Sequence, residues 1–140
     1  MVFERTIKVA FQHCDPAGIV FYPRYYEMIN QVTEEWFEQW LGASFVDIHI
    51  NQGDAVPTAK IETEFKKPSK LGDTLLFTLQ VTKLGRSSVH LEFTVTCEDE
   101  LRLTSRSVIV YVKGEDKKPV SWPQPIRKQL EFFLKEEGPS

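Results

Sequence analysis

The chain has 140 residues, 41% of them hydrophobic and 26% charged, with a formal net charge of −3; that is enough apolar material for the core of one domain and no basis for holding a polyanion by overall charge. No apolar run reaches the roughly 20 residues that cross a bilayer, and the N-terminal M-V-F-E-R-T-I-K lacks the basic and apolar regions of an export signal, so the expected setting is the cytoplasm, with neither nucleic acid nor membrane as a partner. Two cysteines, Cys14 and Cys97, stand outside any C-x-x-C pair; this argues against a disulfide framework and a structural zinc site, and both are read as reduced thiols, Cys97 in the core.

From about Phe3 to Phe11, Ile7, Val9 and Phe11 share one parity, which predicts a first strand. From about Arg24 to Leu41 the period changes. Tyr25, Met28, Ile29, Val32, Trp36 and Trp40 fall on one helical stripe with Glu27, Glu34 and Glu38 opposite, predicting a long amphipathic helix, and Gly42 supplies the left-handed residue that ends it. The next stretches alternate. Ala59, Ile61, Thr63 and Phe65 form one apolar face, Leu75, Phe77, Leu79 and Val81 a second, and Val89, Leu91, Phe93, Val95 and Cys97 a third. Short breaks at Pro68 to Asp73, Leu84 to Ser87 and Glu98 to Glu100 imply antiparallel neighbours. Between Leu101 and Val112 the parity slips, as it does at a bulge or a change of buried face. The linker P-V-S-W-P-Q-P then leads to a short helix carrying Ile126, Leu130 and Phe133. One long helix against an antiparallel sheet of about five strands makes an α+β domain spanning residues 1–140.

Several chemistries lack their motifs. There is no G-x-S-x-G, no P-loop and no G-x-G-x-x-G, and His13, His49 and His90 have no ligand spacing. His90 lies on the polar phase of its strand, and His13 and Cys14, adjacent in an extended segment, point to opposite faces. Asp15 has an ordinary reading: Asp-Pro starts turns, and Gly18 supplies a permissive dihedral. It also has a chemical one. A carboxylate just before a long buried helix lies beside unpaired backbone N–H groups at the positive end of the helix dipole. A carboxylate next to such donors is what acyl transfer uses, one group attacking or activating water and the other stabilising the developing oxyanion.

The run D-P-A-G-I-V-F-Y-P-R-Y, with Asp15, Gly18, Val20 and Tyr25 at these spacings before an aromatic helix, resembles the hotdog-fold acyl-CoA thioesterases of the 4-hydroxybenzoyl-CoA thioesterase type. The resemblance implies an antiparallel sheet wrapped around the central helix. It makes Asp15 the catalytic carboxylate, as nucleophile or general base, and gives the backbone N–H of Tyr22 the task of polarising the thioester carbonyl. The turn K-L-G-R-S-S is similar to the family's basic turn, which nominates Arg86, with Lys83 and Ser87, for the coenzyme A phosphates; Lys70, with Lys66 and Lys67, is a further partner. Phe21, Tyr22, Tyr25 and Tyr26 offer an aromatic lining, and Asn30 stands where the hydroxybenzoyl-specific members carry an acid. The expected activity is hydrolysis of an aromatic or short acyl-CoA, with no metal and no cofactor, coenzyme A being part of the substrate. A thioesterase acting on acyl carrier protein and a non-catalytic acyl-CoA binding module are the alternatives. Poorly covered sheet edges predict a homodimer or homotetramer, joined edge to edge, with each site at the subunit boundary.

Overall fold

The computed structural model describes residues 1–136. Five strands, β1 (Phe3–Lys8), β2 (Thr58–Phe65), β3 (Thr74–Leu84), β4 (Ser88–Cys97) and β5 (Glu100–Val110), form one antiparallel sheet in the order β1-β3-β4-β5-β2. The helix α1 (Pro23–Trp36) lies on one face of it, with Tyr25, Met28, Ile29, Val32, Thr33 and Trp36 buried. This is the hotdog arrangement expected from the sequence.

The central strands follow their alternation closely. Leu75, Phe77, Leu79 and Val81 of β3 and Val89, Phe93 and Val95 of β4 are fully buried, and Leu79 pairs with Phe93 and Phe77 with Val95 across the ladder. Burying a side chain of this size is worth about 1.5–3 kcal/mol, so these strands supply much of the drive for folding. On β5 the inward positions are Leu103, Ser105, Ser107 and Ile109. The two serines oppose Phe93 and Leu91, and their small size leaves room for the helix above.

The parity slip in β5 is a bulge. Val95 pairs with Leu103 and Thr96 with Leu101, so Arg102 is the extra residue. Val108 and Val110 point to the outer face and are half-buried, and Val112 is buried in the short strand β6 (Val112–Lys113), which pairs with β7 (Lys118–Pro119) around a turn at Gly114.

Two sequence expectations are corrected. The regular helix stops at Trp36, and Phe37–Leu41 continues as a wider π-helical turn that ends on Gly42 with φ of +68°. The wider turn rotates Phe37 and Leu41 into the core and leaves Trp40 44% exposed, off the stripe on which the 3.6-residue period puts it. The first strand ends at Lys8. Val9 is buried, but Phe11 begins a single tight turn and is 82% exposed.

The edges differ in cover. Beyond β1, the C-terminal segment after α2 (Gln124–Phe132) takes the free side of β3: Val81 N–H donates to the Phe133 carbonyl at 2.9 Å and Lys135 N–H to the Val81 carbonyl. The α2 side chains Ile126 and Leu130 are buried with Phe133, as their spacing predicts. On the other side, β2 has Ile61, Thr63 and Phe65 on the helix-side face as expected, yet nearly all of the strand is exposed because it overhangs the helix. Among the described residues no helix is long and apolar enough to cross a membrane.

Candidate active site

Asp15 sits in a tight hairpin in front of α1. Cys14 pairs with Val20, Asp15 N–H donates to the Ile19 carbonyl at 3.0 Å, and Phe21 N–H donates to the His13 carbonyl at 2.9 Å. Gly18, at φ +80°, makes the reversal, a conformation that side chains with a Cβ adopt only at a cost. The Asp15 Oδ1 accepts a hydrogen bond from Ala17 N–H at 2.9 Å, so the turn role read from Asp-Pro is present. Its Oδ2 takes no hydrogen bond among the described residues. The carboxylate lies on an open hollow of about 410 Å³ lined by Phe11, Cys14, Asp15, Pro16, Gly18 and Leu71.

His13 is engaged locally. Its Nδ1 accepts from Ala10 N–H at 2.8 Å, and Cys14 Sγ lies 3.6 Å from the Ala10 carbonyl. Neither pairs with the other, but not because the segment is extended as expected: His13 ends the tight turn Phe11–His13, and both side chains reach back to the Ala10 backbone.

Tyr22 is the residue before α1, and Pro23 fills the first helical position without an N–H to satisfy. Arg24 N–H donates to the Phe21 carbonyl and Tyr25 N–H to the Tyr22 carbonyl, while Tyr22 N–H makes no hydrogen bond among the described residues. The hairpin thus links a carboxylate to the positive end of a helix seven positions later, with an amide donor to spare.

An aromatic cluster borders this helix start. The ring of Phe65, at the end of β2, lies 6.4 Å from Tyr22 and 5.8 Å from Tyr25, and Phe21 lies 5.6 Å from Tyr22. Tyr25 is buried beneath the cluster, whereas Phe21, Tyr22 and Phe65 are each about half exposed. Phe65 could not be assigned to the site from the sequence, since its partners are some 40 residues away and only the sheet brings them together. Asn30 is exposed two turns further along α1, beside a small cavity of about 50 Å³ that Ile61, Thr33 and Ser107 help to line.

The loop 68–73 carries the hairpin. Val20 N–H donates to the Ser69 carbonyl at 2.9 Å, Leu71 N–H to the Gly18 carbonyl at 3.3 Å, and Ile19 pairs with Lys70. Lys70, nominated for the coenzyme A phosphates, is therefore next to the Asp15 hairpin. Lys66 and Lys67 are exposed at the same end, with Lys66 paired to Glu64 and Lys67 to Glu100.

Arg86 and Ser87, on the β3–β4 turn, and Lys83, near the end of β3, are together at the opposite end of the sheet. Arg86 Nε donates to Ser121 Oγ at 2.9 Å, and the turn borders a hollow of about 300 Å³ shared with Gln124 and Arg127. Because β3 starts at Thr74 beside the loop 68–73 and ends at Leu84, ten strand steps of about 3.3 Å put this turn roughly 30 Å from Asp15 within one chain. One chain does not gather all the nominated residues.

Residues 9–130 match the family model of the Thioesterase-like superfamily. The chain belongs to this superfamily. Among its relatives, a 1,4-dihydroxy-2-naphthoyl-CoA hydrolase of Nostoc punctiforme is 26% identical over 139 residues, covering 92% of this chain and 90% of the relative. Solved structures share the fold. A 1,4-dihydroxy-2-naphthoyl-CoA thioesterase from Synechocystis superposes with a TM-score of 0.85 at 20% identity, covering 93% of this chain and 96% of that one. A Staphylococcus aureus protein solved in complex with CoA gives 0.88 at 18% identity over 100% of this chain and 90% of that one. The thioester-hydrolase class expected from the sequence agrees with the superfamily and with the names of these relatives.

Proposed function

We propose that the protein hydrolyses the thioester of an acyl-CoA to a carboxylic acid and free coenzyme A, with Asp15 as the catalytic carboxylate. The observation that carries this reading is the hairpin itself, which joins a carboxylate with one unengaged oxygen to a helix start with an unengaged amide, Tyr22 N–H. With the thioester carbonyl on that amide, negative charge developing on its oxygen meets a fixed donor and the helix dipole. Asp15 then either attacks the carbonyl carbon, giving an anhydride that water opens, or takes a proton from the water that attacks. In both routes the C–S bond breaks, the thiolate leaves and is protonated, and water supplies the oxygen that regenerates Asp15 or completes the acid.

The half-exposed rings of Phe21, Tyr22 and Phe65 suit an aromatic or short acyl group. The names of the relatives point to a hydroxynaphthoyl thioester, and the D-P-A-G run to a hydroxybenzoyl one. Asn30, neutral where an acid is expected for the latter, favours a hydroxyl by hydrogen bonding without charge. The domain is read as one unit over 1–140.

Two chains complete the site in this reading. The bare strand β2 has Phe65 at the Asp15 end and Thr58 at the Arg86 end, since they pair with Leu103 and Ile109 of β5. Antiparallel pairing of two β2 strands about a two-fold axis brings the Asp15 end of each chain to the Arg86 end of the other, so that Arg86, Lys83 and Ser87 of one chain hold phosphates of a coenzyme A whose thioester lies at Asp15 of the other. The test is a panel of aromatic and aliphatic acyl-CoAs assayed by thiol trapping. Release of coenzyme A that Asp15→Asn abolishes is the expected result. Acyl-CoA that raises the melting temperature yet stays intact would make the protein a binding module instead.

A further inference from the structure

We propose that Arg102 is a positioning residue for this reaction, holding the loop 68–73 and through it the Asp15 hairpin; the inference rests on the reading of Asp15 as the catalytic carboxylate. Arg102 occupies the β5 bulge, whose extra residue re-aims its side chain, and the guanidinium is largely buried, with 12% of the side chain exposed. Three of its bonds go to one loop. The two N–H groups of its Nη1 are shared among Asp73 Oδ2 at 2.7 Å, Ser69 Oγ at 3.1 Å and the Pro68 carbonyl at 3.2 Å, while Nε lies 2.9 Å from Glu100 Oε1.

That loop meets the hairpin on the three residues just after its tip. Ser69 accepts from Val20, Lys70 pairs with Ile19, and Leu71 donates to Gly18; Ile19 in turn accepts from Asp15 N–H. Asp73 closes the loop on itself by accepting from Lys70 N–H at 2.9 Å, and its carbonyl accepts from Val9 N–H at 2.8 Å. The path from the guanidinium to the backbone of Asp15 runs through three hydrogen bonds, at Ser69 Oγ, the Ser69 carbonyl and the Ile19 carbonyl, joined by short covalent stretches. The Lys70 N–H and the Arg102 guanidinium hold the Asp73 carboxyl below the usual aspartate range, so the ion pair persists at neutral pH. A planar fork serves several acceptors at once where a lysine ammonium is a point charge, which explains arginine at this position.

Misplacing a reacting group by about 1 Å can cost on the order of 100-fold in rate. Arg102→Met, Arg102→Lys, Asp73→Asn and the double variant Arg102→Met/Asp73→Asn are compared for kcat and KM on an acyl-CoA that the wild type hydrolyses, each well below its own melting temperature. The expected result is a kcat lower by roughly 10- to 100-fold in Arg102→Met with little change in KM. Arg102→Lys recovers part of it, and the double variant is no worse than the poorer single one, because both cut the same link. A lower melting temperature with wild-type kcat overturns the inference, as does a raised KM at unchanged kcat. If Arg102→Met does not fold, Arg102→Lys and Asp73→Asn carry the same comparison. Asp15→Asn measured alongside separates the two readings: full activity there sinks the Asp15 assignment and this inference with it, whereas an inactive Asp15→Asn beside wild-type kcat in the Arg102 and Asp73 variants sinks this inference alone.

Discussion

The two ends of the sheet are built in opposite ways. At the Asp15 end, backbone hydrogen bonds from three segments, 13–21, 68–73 and the start of α1, lock a short hairpin by main-chain geometry. At the Arg86 end, a turn presents side chains: Arg86 reaches Ser121, and Arg127 Nη1 donates to the Gly85 carbonyl at 2.9 Å. Rigid backbone suits the placing of a nucleophile or base, where tenths of an ångström count. Long cationic side chains suit phosphates, which tolerate a moving partner. In the proposed reading, cleavage of the thioester at Asp15 and the holding of coenzyme A phosphates at Arg86 lie about a sheet's length apart, so a site using both ends needs a second chain.

The sharpest way to break that comparison is at the rigid end. Asp15→Asn retains an oxygen for Ala17 N–H, so the hairpin should survive while kcat falls by at least about 100-fold, the usual scale for losing a general base. Circular dichroism and single-turnover thiol release together check it; activity and fold lost in parallel would reduce Asp15 to a turn residue.

Next comes the edge that would join the ends. Phe65→Glu places a carboxylate on the bare strand β2, where pairing with a second copy would desolvate it. Light scattering across a dilution series should show a shift to monomer, and because Phe65 also borders Tyr22 and Tyr25 the mass, not the activity, is the readout. A wild-type chain that is monomeric and fully active would refute the two-chain site.

The Arg86 end should respond more mildly. Arg86→Ala is expected to raise KM by about tenfold with little change in kcat, the effect of losing a charge-assisted hydrogen bond to a phosphate, and the change should vanish for a substrate shortened to pantetheine. Mixing Asp15→Asn chains with Arg86→Ala chains gives heterodimers in which one site is doubly damaged and the other has both native residues. Recovery of low-KM turnover in the mixture shows that the two ends cooperate across chains.

The smallest effect concerns acid stability at the loop that braces the rigid end. The folded-state carboxyl of Asp73 ionises more readily than in the unfolded chain, so its contribution is present above the ordinary aspartate pKa and is lost as pH falls through the lower folded value. Asp73→Asn should therefore lower the melting temperature at pH 7, and the difference from wild type should shrink as pH falls below the ordinary aspartate range, read by melting curves from pH 7 to 2.

Much of this was legible in the residues. The strict alternation of Leu75 to Val81 and Val89 to Cys97 marked the buried strands, Gly42 marked the end of the helix, and the slip after Leu101 marked the bulge, because each signal is local and each element obeys its own period. The Asp-Pro turn at Asp15 and Gly18 was legible for the same reason, though not the hairpin that pairs Cys14 with Val20. What lay beyond the sequence depends on distance in space. Nothing near Phe65 announces that it meets Tyr22 and Tyr25, and nothing near Arg102 says that its guanidinium reaches Asp73. Trp40 and Phe11 were misplaced by assuming a regular helix and a longer strand, where a π-helical turn and a tight turn intervene. The roughly 30 Å between Asp15 and Arg86 is set by the length of β3, which the chain states plainly but which acquires meaning only when both ends carry chemistry.

The wide turn at Phe37–Leu41 has a bearing on how this chain compares with its relatives. A π-helical turn spends one residue more than an α-helical one to climb the same height, so it is the structural form of a single-residue insertion absorbed inside a helix. Chains of the superfamily that lack it should be one residue shorter between the equivalents of Trp36 and Gly42, with an unbroken helix delivering the residue in the place of Leu41 to the same core position. Alignments that open their gap elsewhere in this helix would then misassign every residue between the gap and that glycine, and a gap set beside Trp36 keeps the positions from Asp15 to Asn30 in register.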